Sequence, residues 1–217
     1  MILETFAVGP FYKNAVLLGC EATREAVVVD PGDEVDELLE AVSARQLAVR
    51  YILLTHAHID HVTGVGRAKA ALGVPIVLHR DDLFLYERAP EIGRMYGMHV
   101  APLPPVDEYY EPGGRWTFGR YEARPHHTPG HCPGGVCLEI VGPDVTPPLI
   151  VVGDTLFAGS IGRTDLPGGD LSTLMRSIRD VLLPFGDEAR VLSGHGPETT
   201  IGRERRTNPF LQPESPG

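Results

Sequence analysis

A layered fold of mixed α+β class is predicted for this 217-residue chain by three observations. Apolar runs of strand length recur in both halves, and each half also carries apolar residues at helical spacing. Glycine and proline are abundant, 25 and 20 residues, but follow no period, so the connections are many and tight rather than collagen-like. The third observation is placement: several apolar runs end directly in histidine or aspartate, where a sheet edge would present them.

Residues 3–8, 15–18 and 26–29 read as short strands parted by the GPFYKN and CEATRE turns. The third run stops at Asp30-Pro31-Gly32, a strong turn signal. Asp33 is the expected N-cap of a helix whose buried stripe is Val35, Leu38, Leu39 and Val42. Residues 51–54 form a buried-type strand running straight into Thr-His-Ala-His-Ile-Asp-His at 55–61. Small residues over 63–72 predict a closely packed helix stopped by Gly73, followed by a strand at 76–78. Residues 81–95 read as helical. Pro102, Pro104, Pro105, Pro112 and the Gly113-Gly114 pair make 98–114 a loop, and Tyr96, Tyr109 and Tyr110 are candidates to line the mouth of a site. Residues 116–118 and 121–124 resemble a hairpin, 136–141 and 149–152 are strands, and 191–192 is a last short one. Between them Leu171, Leu174, Met175, Ile178, Val181 and Leu182 mark one helix face, and a short helix is expected over 201–206. No linker or repeat interrupts the pattern, so 1–217 is read as a single domain.

Composition narrows the function classes. The charge of −10 speaks against a nucleic-acid partner and against an anionic membrane surface. No apolar run approaches the roughly 18 residues of a membrane helix, and the start MILETFAVGP lacks the basic and apolar regions of a secretory signal. Three cysteines, Cys20, Cys132 and Cys137, form no CxxC pair, which fits a reducing cytoplasm rather than a disulfide scaffold. A small-molecule substrate is the remaining expectation.

The nine histidines are clustered, and the cluster carries the chemistry. His56, His58 and Asp60 alternate, so in extended backbone they share a face, with His61 aimed at a neighbouring position. Three imidazoles and a carboxylate following an apolar strand are costly to bury without a partner. A divalent metal supplies one, zinc in the first instance, with iron or manganese also suited to these donors. Three further segments repeat the arrangement: PLIVVGD ends in Asp154, RVLSGH ends in His195, and HTPGH places His131 after a Pro-Gly turn.

His56-x-His58-x-Asp60-His61 followed by His131, Asp154 and His195 resembles the metallo-β-lactamase superfamily. The resemblance covers nearly the whole chain and implies a four-layer αβ/βα sandwich, two mixed sheets flanked by helices, with two divalent metal ions at one edge. It implies that His56, His58 and His131 hold the first metal, that Asp60, His61 and His195 hold the second, and that Asp154 bridges them. The commonest zinc β-lactamases place a cysteine at the bridging position. Here Gly153-Asp154-Thr155-Leu156-Phe157, Gly162-Arg163-Thr164-Asp165 and the Ser193-Gly-His-Gly-Pro197 ending are similar to the short bacterial glyoxalase II-like subgroup of hydroxyacylglutathione hydrolases. The persulfide dioxygenase branch shares the Gly-Arg-Thr-Asp element but typically carries Asp-Tyr where this chain has Gly196-Pro197, which favours a hydrolase.

The function so implied is hydrolysis of small acyl thioesters such as S-lactoylglutathione by a metal-bound hydroxide, with Asp60 as the catalytic residue that orients it. The alternative is a mononuclear iron dioxygenase using His56, His131 and Asp154. Arg163 is the candidate substrate-binding residue, for a carboxylate. About twenty residues follow His195, so the helical extension that helps longer glyoxalase II enzymes bind glutathione is not expected. Among the other histidines, His127 is a candidate support for His131 and His79, His99 and His126 are read as ordinary polar residues. Cys132 is expected to be a small buried residue.

Overall fold

The apolar runs of the N-terminal half pair in chain order. In the computed structural model, which describes residues 1–212, they form β1 (Ile2–Val8), β2 (Lys13–Gly19), β3 (Glu25–Val29), β4 (Ala48–Leu53), β5 (Ile76–Leu78) and β6 (Glu108–Tyr109), one six-stranded sheet. The first three strands are antiparallel; β3 to β6 are parallel, joined by crossovers that carry α1 (Asp36–Ala44), α2 (Ile59–Val62), α3 (Val65–Leu72), α4 (Leu83–Glu87) and α5 (Ala89–Met95). The second half builds β7 (Trp116–Phe118), β8 (Tyr121–His127), β9 (Val136–Val141), β10 (Leu149–Gly153), a small hairpin β11 (Leu156–Phe157) and β12 (Ser160–Ile161), then β13 (Arg190–Ser193) and β14 (Thr199–Thr200). Its six-stranded sheet runs β14-β13-β10-β9-β8-β7, with β10 and β13 parallel and α6 (Leu171–Ser177) and α7 (Ile201–Thr207) on its outer side. No described helix is long and apolar enough to cross a membrane.

Strand alternation sorts the core into layers. Val27 and Val29 face the second sheet, in one cluster with Leu53, Phe118, Leu138 and Val151. Val28, between them, packs against Leu38 and Val42 of α1. Ile52 and Leu54 meet the α2–α4 side, and Ile150 and Val191 meet Leu174, Ile178 and Leu182. Both faces of each central strand are covered, which is why these strands read as continuous apolar runs. The order helix, sheet, sheet, helix is the four-layer α+β sandwich expected.

Four local expectations change. Asp33 is not the cap of α1: its carboxylate accepts the Glu34 N–H at 2.9 Å, and the helix begins after Val35 with Asp36 and Glu37 in its first turn. The 63–72 helix starts only at Val65, because a separate turn, α2, precedes it and Gly64 comes so close to Gly32 that a Cβ would lie 1.9 Å from the Gly32 carbonyl oxygen. The 81–95 segment breaks into a 3-10 turn over Arg80–Asp82, then α4 and α5, with Pro90 in the first turn of α5. On the 171–182 face Leu171 is half exposed while Leu174, Ile178 and Leu182 are buried.

Candidate metal centre

Four strand exits converge on one edge of the sandwich. β4 leads through Thr55 into His56 and His58; β8 leads into the 128–135 loop with His131; β10 ends before Asp154 and β13 before His195. Because β10 and β13 are parallel, their exits lie side by side, and the Gly194 N–H donates to the Gly153 carbonyl at 2.7 Å. The first sheet joins here too. Asn14 on β2 donates from its side chain to the carbonyls of Ser193 (3.0 Å) and Gly196 (2.8 Å).

All seven expected ligands come together. The donor atoms of His56, His58 and His131 lie within 4.8 Å of one another, and so do those of Asp60, His61 and His195. His58 Nδ1 and His131 Nε2 are 2.8 Å apart. Asp154 lies between the groups: Oδ1 is 3.4 Å from His61 Nε2, and Oδ2 is 3.6 Å from His131 Nε2 and 3.5 Å from His195 Nε2. One detail of backbone differs from the alternating-strand reading. His58 is extended, but Asp60 and His61 lie on the single turn α2, which swings them to the second group.

The remaining ring nitrogens fix which lone pairs face inward. His131 Nδ1 donates to the Arg163 carbonyl at 2.8 Å, and His195 Nδ1 donates to the Phe11 carbonyl at 3.1 Å. His61 Nδ1 is 2.9 Å from Asp30 Oδ2. The Thr55 hydroxyl donates to Asp30 Oδ2 at 2.6 Å, so it accepts from His56 Nδ1 at 3.1 Å. These four rings therefore turn Nε2 toward the centre, whereas His58 presents Nδ1. His56 Nε2, His58 Nε2, His61 Nε2 and Asp154 Oδ1 are buried without a hydrogen-bond partner, as are Thr63 Oγ1 and Tyr110 Oη elsewhere. Such atoms gathered at one point are what a bound cation would complete. A Cβ on Gly194 would sit 2.1 Å from Asp154 Oδ1 and 2.9 Å from His61 Cε1, so glycine leaves that space open. Imidazole nitrogens, carboxylate oxygens and this open cradle fit a pair of divalent ions.

The electrostatics differ between the groups. Burial, with the neighbouring rings, holds His56 well below its ordinary range and His58 down at about 3. Burial opposes charging of His61 as well, but Asp154, Asp60 and Asp30 outweigh it and raise the ring to about 9. His195 rises to about 10 because its bonds to Asp154 and Asp60 overcome its own desolvation. Asp154 is held well below the carboxylate range: its burial pushes the other way, and His61 and His195 prevail.

Asp30, Thr55 and Lys13 were not singled out from sequence. Asp30 accepts from the Thr55 amide (2.7 Å) as well as from its hydroxyl and from His61. The signal was present in Asp30-Pro31-Gly32 closing an apolar run. Asp30→Ala is expected to destabilise the chain by about 3–5 kcal/mol in denaturant unfolding, because His61 and Thr55 lose their buried acceptor. Lys13, one of two lysines in the chain, is fully buried; desolvation lowers it to about 8 against the opposing pull of Asp30, Asp60 and Asp154.

Other candidates take ordinary places. The Arg163 guanidinium forms a two-bond pair with Asp165 at 2.7 Å, exposed beside the centre, while its carbonyl orients His131. Tyr110 is core, packed on Trp116, and Tyr109 lies under Arg80; Tyr96 stays exposed. His127 does not support His131 directly: it stacks on His79 and bonds the Pro133 carbonyl at 2.8 Å. His126 pairs with Glu139, and Cys132 is buried with its thiol on Asp82.

Comparison with known proteins converges on one family. The family model of the metallo-beta-lactamase superfamily matches residues 8–195. The chain is 35% identical over 217 residues to "Hydroxyacylglutathione hydrolase GloC" of Haemophilus influenzae, covering 99% of this chain and 100% of that one. Two solved structures align over almost all of it. The BLEG-1 B3 metallo-beta-lactamase gives a TM-score of 0.88 at 35% identity, covering 98% of this chain and 100% of its own. TTHA1623 in a di-iron-bound form gives 0.84 at 42% identity, covering 96% and 100%.

Proposed function

The chain belongs to the metallo-beta-lactamase superfamily, and on that premise we propose that it is a binuclear metallohydrolase of small acylated thiols. The observation that carries this reading is Asp154, whose two oxygens reach 3.4–3.6 Å from nitrogens of both ligand groups. A carboxylate so placed joins two positions rather than completing one. His56, His58 and His131 would hold the first ion, Asp60, His61 and His195 the second, and Asp154 both. When bound, two divalent ions supply an acidified water as nucleophile and a Lewis acid for the carbonyl oxygen.

The protein's own groups do the rest. Asp60 is ionised, its carboxyl lowered by His61 and His195 against the opposing effect of burial, and its Oδ2 stands 3.0 Å from His195 Nε2. That oxygen can accept and orient the proton of the attacking water. Phe11 and Tyr12 are exposed on the turn that buttresses His195, and Phe157 packs edge-on to the His195 ring. Phe157 is the proposed apolar contact for an acyl group. Arg163 is the proposed contact for a substrate carboxylate: its exposed pair with Asp165 is of small net worth and can open. The similarity to a hydroxyacylglutathione hydrolase and to TTHA1623 in its di-iron-bound form supports hydrolysis at two metals, with zinc the proposed ion and iron an alternative.

The test is metal content of the purified protein beside turnover of S-lactoylglutathione and of a chromogenic β-lactam. Two ions per chain with thioester turnover well above β-lactam turnover is the expected result. One iron per chain with oxygen uptake on glutathione persulfide would overturn it.

A further inference from the structure

Three histidines of the first group come from segments far apart in the chain, His56 and His58 after β4 and His131 after β8. Their approach, 2.8 Å between His58 Nδ1 and His131 Nε2, needs the two segments to be held in register. One tie is main chain: the Val136 N–H donates to the Thr55 carbonyl at 2.8 Å. The other is a side chain that touches no ligand. Asp82, fully buried in the turn that follows β5, takes three donors from the two segments. Its Oδ2 accepts the Ala57 N–H at 3.1 Å and the Cys132 thiol at 3.1 Å, and its Oδ1 accepts the Gly134 N–H at 2.6 Å. Ala57 sits between His56 and His58, and Cys132 follows His131.

We propose that Asp82 is a positioning residue of the centre, clamping the His56–His58 segment to the loop that carries His131. Two further features of the same turn agree. A Cβ on Gly134 would lie 2.8 Å from Asp82 Cγ and 2.7 Å from its amide nitrogen, so the loop closes on this carboxylate only with glycine there. His79, three residues earlier, stacks on His127 at 4.2 Å between ring centroids, at the entrance to the loop. A carboxylate with three donors and no cation spans both segments and leaves neither free to drift, which is what holding a ligand geometry requires.

The inference rests on reading these residues as a metal centre, and its test separates the two. Metal-free protein is titrated with zinc against a chromophoric chelator. Asp82→Asn keeps the shape but turns donor hydrogens toward the loop amides. It is expected to weaken the first ion by about tenfold or more and to leave the second nearly unchanged, with an unaltered circular dichroism spectrum. Ile76→Val, a buried β5 change that touches neither segment's polar groups, serves as the comparison for general loosening and should leave both ions within about twofold. Asp82→Asn binding the first ion as tightly as Ile76→Val, or weakening both ions alike, overturns the proposal. Should Asp82→Asn fail to fold, Gly134→Ala is titrated instead, with the same loss expected and the same outcome overturning it. Wild-type protein that takes up no zinc or iron would instead remove the metal-centre reading itself.

Discussion

Asp154→Ala is expected to lower kcat/KM on a small acyl thioester by about a thousandfold or more and to reduce bound metal from two ions to one per chain. The carboxylate is the group within reach of both ligand sets, at 3.4 Å from His61 Nε2 and 3.6 Å from His131 Nε2. Without it the second set keeps Asp60, His61 and His195 but loses the anion that binds the two positions together. Nucleophile generation and carbonyl polarisation then separate, and about 4 kcal/mol of transition-state stabilisation corresponds to that rate loss. Metal analysis and steady-state kinetics on the folded variant decide it. Two ions retained, with activity within tenfold of wild type, would show that Asp154 does not bridge.

Binding of the second ion should depend more steeply on pH, and release more protons, than binding of the first. In the metal-free chain His61 and His195 are raised to about 9 and about 10, above the unfolded value near 6.5. Their protonated forms stabilise the fold fully below about pH 6.5, and that contribution fades as pH rises through about 9 and 10. An ion needs the neutral ring, so it must displace those protons. Affinity for the second ion therefore climbs toward pH 9, by up to about a hundredfold per unit if both protons leave, and levels off above pH 10. His56 and His58 are neutral across this range, His58 down to about pH 3, so these two rings of the first set impose no such cost. Calorimetric titration in buffers of different ionisation enthalpy counts the protons. Equal release for both ions would refute the asymmetry.

The convergence of these side chains was legible because donor residues at strand exits break the local pattern twice. They are polar where an apolar run should end in a turn, and they recur at four separate exits, His56, His131, Asp154 and His195. Strand positions were legible for a similar reason, since residues 76–78 and 149–152 are apolar on both faces and need two covering layers. Helix starts were less so. Asp33 satisfies every local rule for a cap, yet it caps Glu34 in a turn, because the approach of Gly64 to Gly32 sets where α1 and α2 can lie. Tyr110 reads from sequence either as a lining residue of the site's mouth or as packing, and it is core, because β6 pairs with β5 and turns it inward.

The inventory is local and readable along the chain: which residues carry donor side chains, which runs are buried, and which turns separate them. Those properties are local, written in side-chain chemistry and in periods of two and of three to four residues. The pairing came with the closed fold. That His61 leans on Asp30, that His131 takes its orientation from the Arg163 carbonyl, that Asp82 joins Ala57 to Cys132 and Gly134, and that Arg163 spends its charge on Asp165 are contacts mostly between segments tens of residues apart. A hydrogen bond is set by distance and angle at the scale of ångströms, and spacing along the chain fixes neither until two sheets have closed on each other.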